Sequence, residues 1–575
     1  MTKRNKRETF RFKPGFTIGG VAAETDPLLA ACFVSTDCFE AASNINDARC
    51  AIIGRAGTGK TAILDELKRR HAENTITIDP EALAFQFLGK SEMIRALRTN
   101  GVNLDYFYKL LWRHILVVEI LKHYFPAESK QSSRISQLAA AIKQRLKPDP
   151  AEKRAVEYLD QWDATVLQPT HERIQEIHNN LSKRIRAKIG FNGGWLSLFG
   201  LKGDVDGEIA SSQEVTERVR IAQGIISHIQ IEDLNRVRDY IGSTILDDPQ
   251  QPCYVLIDDL DRFVVDDPLV HDLIRGLILE IYDWKKIKNL KVIYALRNNI
   301  LNKIESEFRT RSYQKEKLED QRYYLGWTRQ ELIELIDRRL WKVSEDSNSI
   351  NIPTLREILP KHSSQHPSGL DYILERTLNR PRDIIDYINR AGTLCIGKAR
   401  ISIQVLQKVE DSYSQGRLAA LYDEWRANYP DLDLITKILR GFPQRFNISL
   451  WSEDDLMDIF TDRRIQKDGW LETHCQEFQK DYASNPSYAL NNCIRKLVKL
   501  FFEIGIVGVK PSEGGSLRYC HTGDPLLADV ELDGDPQVVI HPMFHRALGT
   551  NPWSARRNQL ELESPELPKK VENHS

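Results

Sequence analysis

Eight consecutive residues constrain this chain more than any other part of it: Gly54-Arg55-Ala56-Gly57-Thr58-Gly59-Lys60-Thr61. The stretch reads GxxxxGK[ST], and its flanks fit that pattern. Cys50-Ala51-Ile52-Ile53 before it is a short apolar run of buried-strand type, and Thr61-Ala62-Ile63-Leu64-Asp65-Glu66-Leu67-Lys68 after it has helical periodicity. Glycine at 54, 57 and 59 lets the backbone turn its N–H groups toward phosphate oxygens, and a helix N-terminus adds free N–H groups and a favourable dipole. Lys60 offers a charge to the β- and γ-phosphates and Thr61 a hydroxyl to Mg2+. Gly54 to Ala62 is therefore expected to bind nucleotide.

A second motif completes the expectation. Val255-Leu256-Ile257-Asp258-Asp259 is an apolar strand ending in adjacent carboxylates. Asp258 is expected to hold Mg2+, and Asp259 to polarise a water for attack on the γ-phosphate as general base. A dedicated base favours hydrolysis over nucleotide storage and over transfer to a small acceptor. Asp261 and Arg262 follow; Arg262 either pairs with these carboxylates or reaches the phosphate of a neighbouring subunit. Leu296-Arg297-Asn298-Asn299 closes another strand, with Arg297 as first and Asn298 as second candidate to sense the γ-phosphate, against a strand-exit arginine in solvent. In Asn379-Arg380-Pro381-Arg382-Asp383, proline opens a helix, and Arg380 and Arg382 are expected to fold back onto phosphates as part of a nucleotide-responsive lid. The alternative for Arg382 is an ion pair with an acid at the helix start. No NKxD follows, so ATP is expected over GTP, and no LSGGQ lies between the loop and Asp258.

The chain has 575 residues, too many for one core, so two to four domains are expected. Hydrophobic content of 41% and charged content of 28% describe a soluble globular protein, and a net charge of -1 gives no global attraction to nucleic acid. Eight scattered cysteines and a basic start without an apolar run point to the cytoplasm, and apolar runs such as Ile115–Val118 are too short to span a membrane.

The chain divides as follows. Residues 1–45 are a lead-in, with Gly20–Leu29 read as a turn feeding a helix. Residues 46–327 form an α/β core, a parallel sheet with helices on both faces, with strands at 50–53, 75–78, 253–257 and 292–296 and a helical hairpin at 91–125. Within it, 126–245 is a mainly helical insertion carrying the glycine-rich Gly200–Ile209, expected to project and meet a partner, against an inert elaboration of the fold. Residues 328–445 form a helical lid, and Gly441-Phe442-Pro443 separates it from a winged-helix-like domain at 446–550. The tail, 551–575, is expected to be disordered. The last domain has a capping box at Ser452, a stripe of Ile494, Leu497, Val498 and Phe501 flanked by Arg495, Lys496 and Lys499, and a hairpin from 502–510 and 517–520 before a strand at 538–541. Such a module contacts DNA or docks protein; the nearby Asp524, Asp529, Glu531, Asp533 and Asp535 favour protein or intramolecular contact.

With these residues in hand, the chain resembles bacterial P-loop ATPases of the STAND and KAP-like branch of the AAA+-related (ASCE) group. The resemblance rests on Ala23–Leu29, Gly54–Thr61, Val255-Leu256-Ile257-Asp258-Asp259-Leu260-Asp261-Arg262, Tyr294–Ile300, Trp327 with Glu331-Leu332, Arg380-Pro381-Arg382-Asp383 and Ile540–Phe544. It implies ATP and Mg2+ as ligands, a Walker A loop at Lys60 and Thr61, a Walker B pair at Asp258 and Asp259, a sensor at Arg297 and a winged-helix-like ending. Relatives of this kind are nucleotide-driven switches, several of them in anti-phage defence beside a separate effector. The leading expectation is an oligomerising ATPase that controls a partner protein. The alternatives are an ATPase acting on DNA through 446–550 and an ATP-binding scaffold with little turnover.

Overall fold

The computed structural model describes residues 10–80, 88, 90–124, 170–190, 194–198, 212–227, 235, 237–239, 241–260, 268–308, 318–346, 353–426, 428–462, 464–465, 469–512, 514–522 and 526–551. Contacts divide them into two units. A sheet unit holds 35–55 and 60–325; a helical unit holds the chain up to Val34, the four residues Ala56–Gly59, and everything from Gly326 on.

The sheet unit begins with helix α1 (Asp37–Ser43), capped by Thr36. Five parallel strands follow: β1 (Ala51–Ile53), β2 (Thr75–Ile78), β3 (Cys253–Ile257), β4 (Leu290–Leu296) and β5 (Arg322–Tyr324), in the spatial order β2-β3-β4-β1-β5. Every residue of β1, β3 and β4 is buried, as apolar runs covered on both faces of a parallel sheet must be. Lys291 inside β4 is the polar exception, and its Nζ donates to the Ala41 and Asn44 carbonyls at the end of α1, at 2.6 and 2.7 Å.

Helices α2 (Lys60–Arg70), α3 (Glu92–Thr99), α4 (Asp105–Tyr124), α5 (Thr170–Ile189), α6 (Ser212–Ser227), α7 (Pro268–Trp284) and α8 (Asn298–Phe308) complete this unit. The expected hairpin is α3 with α4, but α4 is more than amphipathic: it is enclosed on nearly all sides, and even Arg113 on it is buried. Arg113 is matched by Glu280 of α7 at 2.6 Å and Asp283 at 2.8 Å, and Gly276 lets the two helices approach where a Cβ would lie 2.5 Å from that of Tyr108.

The insertion expected to project departs from that expectation over its described helices. Ile174, Leu181 and Ile185 of α5 and Ala222 and Ile226 of α6 belong to the same core as the sheet. Their apolar faces are buried at home. The glycine-rich stretch at 200–209 lies outside the described residues.

The helical unit contains α9 (Arg329–Asp346), α10 (Pro381–Thr393), α11 (Ile403–Trp425), α12 (Glu453–Phe460), α13 (Trp470–Tyr482) and α14 (Pro486–Ile504). A small antiparallel sheet of β6 (Arg445–Asn447), β7 (Val507–Lys510) and β8 (Gln537–Ile540) has the order β6-β8-β7. Helices followed by such a sheet fit the winged-helix-like layout, with two differences. The returning arm of the hairpin at 517–520 makes only an isolated bridge, Arg518 to Val509, and β8 takes its place beside β7. The boundary at 441–443 is not a break in packing, because one core runs from the lid helices through Phe442 and Phe446 to Leu548, and Ser414 of α11 donates to the Met543 carbonyl at 2.6 Å.

The lead-in also differs from the reading above. Ala23–Thr25 forms one tight turn, and no helix follows until Asp37. Residues 10–34 instead form a strap on the helical unit. Phe10, Phe12 and Phe16 stack edge to face and enter its core, Arg339 of α9 meets Asp26 at 2.6 Å with both side chains almost fully buried, and its Nη1 donates to the Ile18 carbonyl.

Candidate functional site

Within the sheet unit, three strand ends carry the sequence-predicted residues. The chain leaves β1 at Gly54, β3 at Asp258 and β4 at Arg297, and β4 lies between the other two. Parallel strands are roughly 5 Å apart, so these exits fall within roughly 10 Å of one another along one edge of the sheet. The carboxyl edge of an open parallel sheet, where strand order departs from chain order, is where such folds hold ligands. The Gly54 N–H donates to the Leu296 carbonyl at 3.2 Å, tying the start of the loop to β4. Lys60, at the start of α2, curls back so that Nζ donates to the Gly54 and Arg55 carbonyls at 3.0 and 3.2 Å. Thr61 and Ala62 follow in the first turn of α2.

Asp258 and Asp259 are partly exposed at the end of β3. Asp259 has φ 54, a left-handed conformation that Asp tolerates better than most residues. That turn sends the chain off the sheet, and Oδ1 of Asp258 accepts the Asp259 N–H at 2.9 Å, which orients the first carboxylate. Asn298, next to Arg297, places its side-chain oxygen away from solvent without a hydrogen-bond partner among the described residues. A buried acceptor without a donor is costly.

Within the helical unit lies the middle of the loop, Ala56–Gly59. Gly57 and Gly59 have φ 77 and 97, so both need glycine, and a Cβ on Gly57 would also lie 2.9 Å from that of Arg382. Three successive loop carbonyls meet donors. Ala56 O accepts from Arg380 Nη1 at 3.0 Å, Gly57 O from the Arg382 backbone N–H at a long 3.5 Å, and Thr58 O from the Trp327 indole at 2.7 Å. The Ala56 N–H donates in turn to Glu424 Oε1 at 3.2 Å, and Glu424 faces Arg380 at 3.4 Å.

Arg380 is the hub of this arrangement. Its Nε and Nη2 clasp the two oxygens of Asp383 at 2.9 and 3.1 Å, and Arg417 reaches the same carboxylate at 3.3 Å. Burial works against the charge on Arg380, yet Asp383 and Glu424 outweigh it and raise the guanidinium pKa; burial likewise opposes the Asp383 carboxylate, and Arg380 with Arg417 brings it below its usual value. Arg382 has burial and the neighbouring Arg380 and Arg417 all lowering its pKa, and its Nε donates to the Val21 carbonyl of the strap at 3.1 Å. Both arginines expected to fold back on phosphates thus spend hydrogen bonds on the protein itself, Arg380 on the loop backbone, Asp383 and Glu424, and Arg382 on the strap; the acid partner considered for Arg382 goes to Arg380.

Sequence reasoning missed Glu424. It stands near the end of α11, 368 positions from its loop partner, and no short motif connects them. Arg262 and Asp261 lie outside the described residues. In the last domain, each residue of the basic set faces an acid: Arg495 meets Asp533, Lys496 meets Glu477 and Lys499 meets Asp529. Among the described residues no helix is long and apolar enough to cross a membrane, and no group of three His, Cys, Asp or Glu side chains is arranged to hold a metal.

Residues 330–422 match a family model described as the FunZ-associated C-terminal helical domain. The match runs from α9 into α11 and includes Arg380, Arg382 and Asp383, while the loop and the whole sheet unit lie outside it. No curated protein matches the chain.

Proposed function

We propose that this protein is a Mg2+-dependent ATPase that acts as an oligomerising, nucleotide-driven switch on a separate partner protein. The observation that carries the reading is the edge of the sheet, where the loop, the two carboxylates and the Arg297–Asn298 pair leave three neighbouring strands. An extra strand, β4, between β1 and β3 is the layout of the ASCE class, which supports that finer assignment.

In this reading the glycine loop and Lys60 bind the phosphate chain, and Thr61 and Asp258 hold Mg2+, which when bound neutralises charge on the phosphate oxygens. Asp259 accepts the proton of the attacking water, Asn298 orients that water through its oxygen, and Arg297 offers a positive charge to the terminal phosphate. A switch is favoured over a motor on DNA because Arg495, Lys496 and Lys499 already face carboxylates, so little free positive charge is left for a phosphate backbone.

The test is nucleotide binding and phosphate release by the purified chain. Wild type binds Mg-ATP and releases phosphate, and Lys60→Ala loses both. Turnover that survives Lys60→Ala removes the site assignment, and DNA-stimulated hydrolysis at low salt replaces the switch with the DNA reading.

A further inference from the structure

We propose that the helical unit shapes the phosphate loop by gripping its peptide groups, so that Trp327, Arg380 and Glu424 are positioning residues that hold the loop backbone ready for any nucleotide. The proposal rests on the reading of the loop as an ATP site. It differs from the expectation that Arg380 and Arg382 touch phosphate themselves.

A loop whose N–H groups converge on an anion must turn its carbonyls the other way. Ala56, Gly57 and Thr58 do so in succession, and each carbonyl finds a donor from the helical unit: Arg380, the Arg382 backbone and Trp327. Ala56 is held at both ends of its backbone, by Arg380 at its carbonyl and Glu424 at its N–H, and these two side chains also face each other. Arg380 cannot swing to a ligand without leaving Asp383, whose carboxylate is fully buried and needs its cations. The clamp is therefore rigid where it meets the loop. Its polar atoms point at backbone, which every nucleotide shares, and not at a group that tells ATP from ADP.

That distinction sets the experiment. Trp327→Phe keeps the ring and deletes the indole donor; Glu424→Ala deletes the acceptor for Ala56, and Glu424→Gln restores an acceptor without the charge. Affinities of the full chain for Mg-ATP and Mg-ADP are measured by titration calorimetry, with thermal unfolding of the nucleotide-free chains alongside. One lost hydrogen bond to the cradle is expected to weaken both nucleotides by about five- to tenfold. Trp327→Phe and Glu424→Ala should show this equally for ATP and ADP at an unfolding temperature close to wild type, and Glu424→Gln should recover most of it. Wild-type affinity for both nucleotides in Trp327→Phe and Glu424→Ala overturns the clamp while leaving the ATP site intact. A loss confined to ATP overturns it in favour of a phosphate sensor, and failure of Glu424→Gln to recover overturns the role of Glu424 as acceptor for the Ala56 N–H. If Lys60→Ala binds as wild type does, the ATP reading itself falls, and the clamp with it.

Discussion

Asp259 combines two demands in one residue. It must adopt φ 54 to leave the strand, and in the proposed mechanism it must carry a negative charge toward water. Asparagine meets the first demand as well as aspartate does and fails the second. Asp259→Asn should therefore fold and bind ATP like wild type, with phosphate release slowed by about 10²–10⁴; parallel binding and turnover measurements check this, and undiminished turnover removes Asp259 as the base. Lys291 offers a test of another kind. Burial pushes its ammonium from 10.5 down to about 8, against a smaller opposing pull from Asp47. The unfolded chain then holds more protons than the folded one between about pH 8 and 10.5, so this residue makes stability rise with pH across that window and contributes its full penalty below it. Guanidinium midpoints at pH 7.5 and 9.5 should show wild type gaining relative to Lys291→Met. At this scale the sequence was informative where chemistry is local: Gly54–Thr61 and Asp258–Asp259 are readable from spacing. Glu424 was not, because its role exists only once a residue 368 positions away lies against it.

At the scale of elements, strong periodicity translated into structure and weak pattern did not. The strands at 75–78 and 253–257 are where the apolar runs put them, and the strand expected at 292–296 starts two residues earlier, at Leu290. The edge strand β5 escaped notice because it has three residues and contains Arg322, a charged residue that is buried and pairs with Glu305 and Glu319. The strap at 10–34 was read as a lead-in because nothing local distinguishes an aromatic tail from one that fills a distant groove. Its fit against α10 is tight: a Cβ on Gly392 would lie 2.2 Å from the Phe16 ring. Alanine improves an exposed helix over glycine by about 1 kcal/mol, but overpacking a core costs about 1–3 kcal/mol. The clash should win at least in part, so Gly392→Ala is expected to lower stability in chemical denaturation, and Gly392→Ala combined with Phe16→Ala should relieve the overpacking component.

At the scale of the whole molecule the described residues form two hydrophobic cores, one around the parallel sheet and one through the helices and the small antiparallel sheet. Each is large enough to melt cooperatively, so guanidinium unfolding should resolve two transitions, followed by circular dichroism and tryptophan fluorescence. Mg-ATP at about a hundredfold over its Kd should stabilise the state that binds it by about 2.7 kcal/mol, and Lys60→Ala should abolish that shift. A single transition, unmoved by nucleotide, would contradict both statements.

The helical unit is assembled from segments on either side of the sheet unit in sequence, and this has a consequence during synthesis. The strap ends at Val34, and its main partner segments begin at Gly326. At about 5–20 residues per second, a ribosome needs roughly 15–60 s to cover that interval. For most of it, Phe10, Phe12 and Phe16 are outside the tunnel with no groove to enter, while the sheet unit is free to form first. These three aromatic rings thus wait, without their core, while the whole sheet unit is made.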